Sequence, residues 1–529
     1  LDVKKLFRRT PTNQKHGVFF WIVVTVLILI AVGAVSVEVV IRHAEPILRK
    51  RVVEALSTRL KSRVELASFH VSLARGVEVS GQNLAVYPNN LDDSKPTFSV
   101  KRFSFRTALS NLIRNPMKIG HVDVQGLRID LPPKGQRKQL PKLNSNNSGH
   151  SNISIFVGEM RITDTVLILG TDKPNKVPLT FDIHNLKLES VGAGLPMSFT
   201  ATLVNPKPVG NIQSSGVFGP WNTDDFSSTP VHGSYSFSHA DLGTLKGIGG
   251  ILSSTGKYQG ALNHIVVDGK TDTPDFELDV SGQKVPLETE FHAIVDGSNG
   301  NTYLEPVKAK LLNSTFTAKG FVVHNQGVPG HDIHLTVEIG DANIQDFLQL
   351  AVHTDPPLMN GKLRMHAKLE IPPGSQDVSQ RIKLQGNFVI LDAHFSNPKV
   401  QSRVDELSLR SQGKPGLAKK ESKNPHTADV GSRMNGDFRL ANGSLNISKL
   451  VYDVPGAKVK LKGVYSLDGN TFDFHGTARM KATLSQMVGG WKGLLLTPVD
   501  PFFKKNGAGT QVPIKITGTK SAPHFGLDF

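Results

Sequence analysis

Cysteine is absent from the 529-residue chain. That removes thiolate zinc sites, iron–sulfur clusters, thiol nucleophiles and disulfide staples, and it fits an extracytoplasmic setting, where a free thiol is a liability. Motifs that carry chemistry are missing too: there is no H-E-x-x-H and no G-x-S-x-G. Gly250–Tyr258 (GILSSTGKY) is a chance likeness of a phosphate loop, with the glycines one residue too far apart and Tyr258 in place of Ser or Thr. Nineteen histidines invite a metal or acid–base reading. On a strand, however, His331 faces away from Asp332 and His334, and His232 and His239 fall on opposite parities. Solvated or turn histidines are expected. Asp92-Asp93 and Asp224-Asp225 sit in polar stretches and read as turn and cap residues. No catalytic residue, cofactor or metal is expected, and the chain does not read as an enzyme.

Acids are in the minority, 45 Asp+Glu against 61 Lys+Arg, for a formal charge of +16. The excess is scattered, so nucleic acid is not an expected partner. Such charge more often serves solubility than recognition; if it has a partner, anionic lipid headgroups are the one it suggests. Hydrophobic residues make up 38% of the chain, enough for a large core, and the length suits about two or three structural units. With 49 glycines and 31 prolines, many turns and many short strands are expected.

Long apolar runs are also scarce, with one exception. Val18 to Val37 is twenty residues without a charge, and the apolar stretch reaches Ile41 with only Glu38 inside it. That spans about 30 Å as a helix, one bilayer core. Lys4, Lys5, Arg8, Arg9 and Lys15 precede it, which places residues 1–17 in the cytoplasm and the rest beyond the membrane. A cleaved signal peptide is the alternative; the run is long for one and no clean A-x-A site follows. The expectation is a single-pass inner-membrane protein with a membrane helix at 18–41. Residues 42–62 then read as an amphipathic helix, with Ile47, Leu48, Val52, Leu56 and Leu60 near helical spacing. It lies on the membrane or caps a sheet edge, the second being preferred.

From Val64 onward the period is two. Leu127, Ile129 and Leu131, then Ile333, Leu335, Val337 and Ile339, then Leu363, Met365, Ala367, Leu369 and Ile371 alternate with polar residues. Turn residues separate the runs at hairpin-like spacing, as in Leu467-Asp468-Gly469-Asn470. This predicts a mainly β protein, a long antiparallel meander. Three short helices are expected at 241–252, 342–352 and 482–496, each between strands, as parts of a recurring unit. Pro132–His150 and Ser411–Arg433 are polar, basic and Pro/Gly-rich, and read as loops or linkers. The expected regions are 63–230 (N-terminal β), 231–410 (central β repeats), a basic linker at 411–433 and 434–529 (C-terminal β).

The carboxyl end carries a resemblance. Phe474-His475-Gly476-Thr477-Ala478-Arg479-Met480-Lys481-Ala482-Thr483-Leu484-Ser485 is followed by Pro498-Val499-Asp500-Pro501-Phe502-Phe503-Lys504-Lys505 and Gly507-Ala508-Gly509-Thr510. Val512-Pro513-Ile514-Lys515-Ile516-Thr517-Gly518-Thr519 and Pro523-His524-Phe525-Gly526-Leu527-Asp528 complete it. This resembles the C-terminal region of AsmA-like proteins. The amino end agrees, with a basic tail, one apolar helix, Pro46-Ile47-Leu48, and Val64-Glu65-Leu66 opening a strand. The AsmA-like family is similar to TamB and to bridge-like lipid transfer proteins. The resemblance implies an inner-membrane-anchored, mostly periplasmic protein with a sheet curled into a groove whose apolar face holds acyl chains. It also implies roles in lipid transport and outer-membrane biogenesis, and it supplies no catalytic residues.

The candidate groove residues are Phe103, Phe105, Phe181, Phe199, Leu335, Val337, Leu363, Met365, Phe388, Ile390, Phe472 and Phe474. A closed β-sandwich would use the same residues in its core. Trp491, Leu494, Leu495, Leu496, Phe502 and Phe503 either end the groove or pack within the fold. The expected partners are a phospholipid or other acyl lipid, the inner membrane, and outer-membrane assembly proteins. The rival function is an assembly factor that binds outer-membrane proteins by strand addition.

Overall fold

A computed structural model describes Thr25 and residues 45–60, 62–72, 76–87, 95–112, 117–131, 155–169, 179–192, 194–220, 226–245, 247–279, 281–297, 300–323, 330–351, 355–374, 376, 378–423, 430–466, 471–488, 509–519 and 523–528. Among the described residues the fold is mainly β, 69% strand, in open antiparallel sheet. It forms two units, one of residues 1–240, 255–267 and 296–298, the other of 241–254, 268–295 and 299–529.

The first unit begins with helix α1 (Glu45–Leu60) and strands β1 (Val64–Ser72), β2 (Val77–Val86) and β3 (Phe98–Thr107). After a single turn of helix, α2 (Leu109–Leu112), come β4 (Met117–Leu131), β5 (Ile155–Leu169), β6 (Leu179–Gly192), β7 (Met197–Pro206), β8 (Val209–Phe218) and β9 (Pro230–Asp241). Strands β1 to β8 pair in sequence order. All of these pairs are antiparallel except β4–β5, which is parallel. That exception departs from the expected meander. A hairpin cannot join parallel strands, and the 132–154 connection is long enough for the crossover they require.

The inward alternation is broken in register across six strands, and a second time in β4 to β6 around Gly120, Gly158 and Ser190. Inward residues three apart, rather than two, flank Ala67, Asn83, Lys101, Gly126, Asp164 and His184 in β1 to β6. Asn83, Gly126 and Asp164 take positive φ there, at 52°, 68° and 55°. Each strand thus carries one extra residue at the same level, so the pairing survives while the strands share a bulge. The same apolar face continues on both sides of it.

Helix α1 closes the β1 edge. Its Val52 and Leu56 are buried in the cluster made by the inward face. Arg49 donates to the Ala67 carbonyl oxygen at 2.9 Å. The expected helix is therefore present at this edge. The side chains of Ile47, Leu48 and Leu60 lie outside the described residues.

The second unit takes up β10 (Ile248–Gly249) and parts of β11 (Ile251–Ala261) and β12 (His264–Leu278). It continues through β13 (Val285–Val295), β14 (Thr302–Leu311), β15 (Ser314–Val323), β16 (Asp332–Asn343), α3 (Ile344–Ala351), β17 (Met359–Ile371), α4 (Val378–Arg381) and β18 (Lys383–Phe395). Helices α5 (Pro398–Ser411) and α6 (Pro415–Lys423) follow, then β19 (Ser432–Ala441), β20 (Ser444–Val454), β21 (Ala457–Ser466), β22 (Thr471–Met480), α7 (Leu484–Val488), β23 (Thr510–Thr519) and β24 (Pro523–Leu527). From β13 to β24 every strand pairs antiparallel with its sequence neighbours. Asn442-Gly443, both at positive φ, make the two-residue hairpin between β19 and β20.

Two expectations are corrected here. Residues 241–252 are not a helix. Leu242–Thr244 is a single 3-10 turn capped by Asp241, and β10 and β11 follow. Gly247 and Gly250 take φ of 95° and 115°, values no helix contains. Nor is 411–433 wholly a linker, because α5 runs to Ser411 and α6 occupies Pro415–Lys423. Pro415 stands at the first helical position, where its missing N–H costs nothing. Helices α3 and α7 match the second and third expected helices in part; Trp491, Leu494, Leu495, Leu496, Phe502 and Phe503 lie outside the described residues.

Candidate functional site

Cross-strand register resolves each sheet into two faces. In the second unit one inward row runs Ala318, Val337, Ala367, Gly386, Phe438, Ile447, Gly463, Phe474 and Ile516 from β15 to β23. A parallel row begins Gly320, Leu335, Leu369, Leu384, Leu440, Leu445 and Tyr465. No charged residue stands in either row. In the first unit the equivalent face carries Leu84, Val100, Leu127, Ile162 and Leu188.

The eleven candidates whose side chains are described fall on these inward faces, but their surroundings differ. Phe103 and Phe105 are buried in the first unit's core, both 3% exposed. Leu363 and Ile390 are buried in the cluster that Ile344, Phe347 and Leu348 of α3 pack against. Phe181, Phe199, Leu335, Val337, Met365, Phe388 and Phe474 are only half-buried. The side chain of Phe472 lies outside the described residues; its backbone pairs with Gly518.

The first unit's face is therefore largely filled. Thr25 is helical, buried, and shares with Leu84, Phe98, Val100 and Leu127 a gap of about 20 Å³, room for about one water. Among the described residues of the second unit the strands touch chiefly their own neighbours, and no second sheet packs on the inward face. An apolar face left half-exposed from β15 to β23 is what an open groove needs and a sandwich lacks.

Helix α5 sets one end of this face. Its buried stripe is polar: Gln401, Asp405, Ser408 and Ser411 are each 1% exposed or less. Gln401 Oε1 accepts from Phe395 N–H (2.8 Å) at the end of β18, and Asp405 Oδ1 accepts from Val430 N–H (2.8 Å) before β19. Ser408 Oγ donates to the Pro455 carbonyl (2.7 Å) between β20 and β21. Ala482 N–H after β22 reaches the Ser411 carbonyl (2.9 Å). One helix thus ties the ends of five successive strands. Asp346 does similar work at α3, accepting from Ser314 Oγ (2.7 Å) and Asn313 N–H (3.2 Å).

The outward faces are polar and charged. In the first unit Lys187 bridges Glu159 (3.2 Å) and Glu189 (2.6 Å), and Arg161 also reaches Glu159 (2.9 Å). The Lys187 ammonium holds the Glu159 carboxyl below its usual range, and Glu189, followed by Glu159, raises Lys187. His334 Nε2 meets Asp332 at 2.9 Å, on the side of the strand its parity assigns. Beside it Phe321 stacks on the His334 ring, centroids 4.8 Å apart, at the wall of a shallow cavity of about 350 Å³. Lys319 and Lys368 in its lining are matched by Glu305 and Glu370, so it favours no ion by charge. Gly250–Tyr258 lies mostly in β11 and forms no loop.

Among the described residues no group of three or more His, Asp or Glu could hold a metal. Among them, too, no helix is long and apolar enough to cross a membrane; the 18–41 run lies outside them apart from Thr25, as do residues 1–17, 132–150 and 467–470. Sequence reasoning missed α5 altogether. Val404 and Leu407, packed against the cluster around Met480, gave only a weak apolar stripe. No family model, no curated protein and no solved structure matches the chain.

Proposed function

We propose that the chain is an AsmA-like lipid-binding protein, anchored in the inner membrane by residues 18–41, with its β units in the periplasm. In this reading the inward face of β15 to β23 holds acyl chains and takes part in lipid transport and outer-membrane biogenesis. The observation that carries it is the uncharged, half-exposed inward face of the second unit. Acyl chains need apolar lining and no fixed polar partner, which agrees with a face free of charged residues. The C-terminal motif resemblance supports the same reading.

The test is native mass spectrometry with lipid extraction on the full chain, as wild type and with Met365→Asp and Phe388→Asp. Co-purified phospholipid is expected in the wild type and is expected to fall at least about ten-fold in the double variant, since two charges would have to be buried beside each chain. A wild type that carries no lipid and takes up none sinks the proposal. The rival, strand addition by an outer-membrane protein, finds support in β24, which among the described strands pairs with β23 alone. That edge is only five residues long and begins with Pro523, a blunted edge rather than an inviting one.

A further inference from the structure

The outward face of β21 to β23 breaks the charge pattern seen elsewhere. Lys458, Lys460 and Lys462 point outward from β21, Arg479 from β22 and Lys515 from β23, all exposed. Asp473 is the only acid in these three strands. Lys458 faces Arg479 directly, and Lys462 and Lys515 flank His475 from either side. The nearby carboxylates are engaged: His475 Nδ1 meets Asp528 at 2.7 Å and Nε2 meets Asp473 at 2.9 Å. Lys458 has Asp453 at 3.2 Å, while Lys460, Lys462, Arg479 and Lys515 have no ion pair among the described residues.

Cations placed opposite one another destabilise a sheet. Elsewhere the chain avoids this. Arg106 faces Glu78 and Lys310 faces Glu288. Where Arg161 faces Lys187, Glu159 bridges them and Glu189 pairs with Lys187. Apart from the Lys458–Asp453 pair, the β21–β23 patch has no such compensation among the described residues, so the rest of its charge is matched outside the fold or not at all.

We propose that this face is a docking surface for an anionic bilayer. Lys458, Lys460, Lys462 and Arg479 each stand about 5–7 Å from a neighbouring cation along or across the strands, within one Debye length at physiological salt, so their fields add, and Lys515 lies about 10 Å from Lys462 across His475. Four of the five are lysines, which suit a diffuse layer of headgroups better than a bidentate ligand. Neither an aromatic platform nor a pocket accompanies them, as a nucleic acid or a single phosphate ligand would want. The patch lies on the face opposite the apolar one and does not depend on the acyl-chain reading.

The full chain in phosphatidylcholine nanodiscs would be tested for capture of phosphatidylglycerol vesicles and of phosphatidylcholine vesicles by flotation, at low and high salt. Capture of the anionic vesicles alone, weakened by salt, is expected. Replacing Lys458, Lys460, Lys462 and Lys515 with Gln should cut capture roughly 600-fold, at about five-fold per cation. Arg at the same four positions should retain it. Gln at Lys270, Lys308, Lys310 and Lys319 should leave it within about two-fold, because that region lacks the patch. Because the four-Gln variant loses the Lys458–Arg479 repulsion, its melting temperature should not drop. Equal loss in the control variant, loss in the Arg variant, capture indifferent to lipid charge, or tighter binding of duplex DNA than of vesicles at the same salt would each overturn the proposal.

Discussion

Phe103 and Phe388 have the same chemistry and the same strand parity, yet they occupy different physical situations. Phe103 is enclosed by its own unit's core, whereas Phe388 is half-exposed on the inward face. Phe103→Ala is expected to cost about 3–5 kcal/mol of stability, as a large cavity in a packed core does. Lipid carried per folded molecule should be unchanged, by the same extraction that registers the loss in the Met365/Phe388 variant. Lipid loss from Phe103→Ala with no loss of stability would reverse these roles. His475 makes a second residue-scale prediction. The Asp528 carboxylate raises its pKa above the ordinary 6.5. A raised folded-state pKa means that the contribution is fully present below 6.5 and is lost as pH rises through the raised value. The melting temperature of wild type minus that of His475→Gln should therefore be largest at about pH 5 to 6.5 and should close toward alkaline pH. A gap that widens with pH would show that the two carboxylates are not what holds the ring.

At the scale of elements, α5 is the least expected part of the molecule. Its buried stripe is Gln401, Asp405, Ser408 and Ser411, so a search for apolar residues at helical spacing passes over it. What the stripe buries against is not a core but the loose ends of strands, whose N–H and C=O groups need partners. Asp405→Ala leaves the Val430 N–H without its acceptor and should destabilise this end by about 1–3 kcal/mol. Amide exchange at Val430 is the local reporter; protection equal to wild type would remove α5 from this role. The strands themselves were legible. The eleven candidates whose side chains are described lie on inward faces because side-chain direction follows alternation, and alternation is written in the residues. Which of them are buried was not legible, since that depends on where α1 and α3 dock. The parallel β4–β5 pair was hidden as well, because alternation is the same for either direction.

At the scale of the whole molecule, alternation left open whether the inward faces would pair into sandwiches or stay uncovered. Among the described residues the second unit's face is uncovered, because its strands join chiefly their neighbours and its helices sit at particular strands, α3 against β17 and α5 near β18 and β21. Both outer strands of the described sheet are guarded in ways that limit growth by pairing: α1 packs on β1, and β24 is short and Pro-led. The charge of +16 is not spread evenly over this surface. It is balanced around Glu159 and left unbalanced on β21 to β23.

The bulge shared by β1 to β6 bears on how such a sheet can change over evolutionary time. A strand that gained or lost its extra residue alone would turn every side chain beyond that point to the wrong side, setting Gly81 and Val79 of β2, for example, out of step with Phe103 and Phe105 of β3. The six positions from Ala67 to His184 are therefore bound to one another as a single heritable character. Residue identities along these strands can drift, but their lengths at that level can change only together.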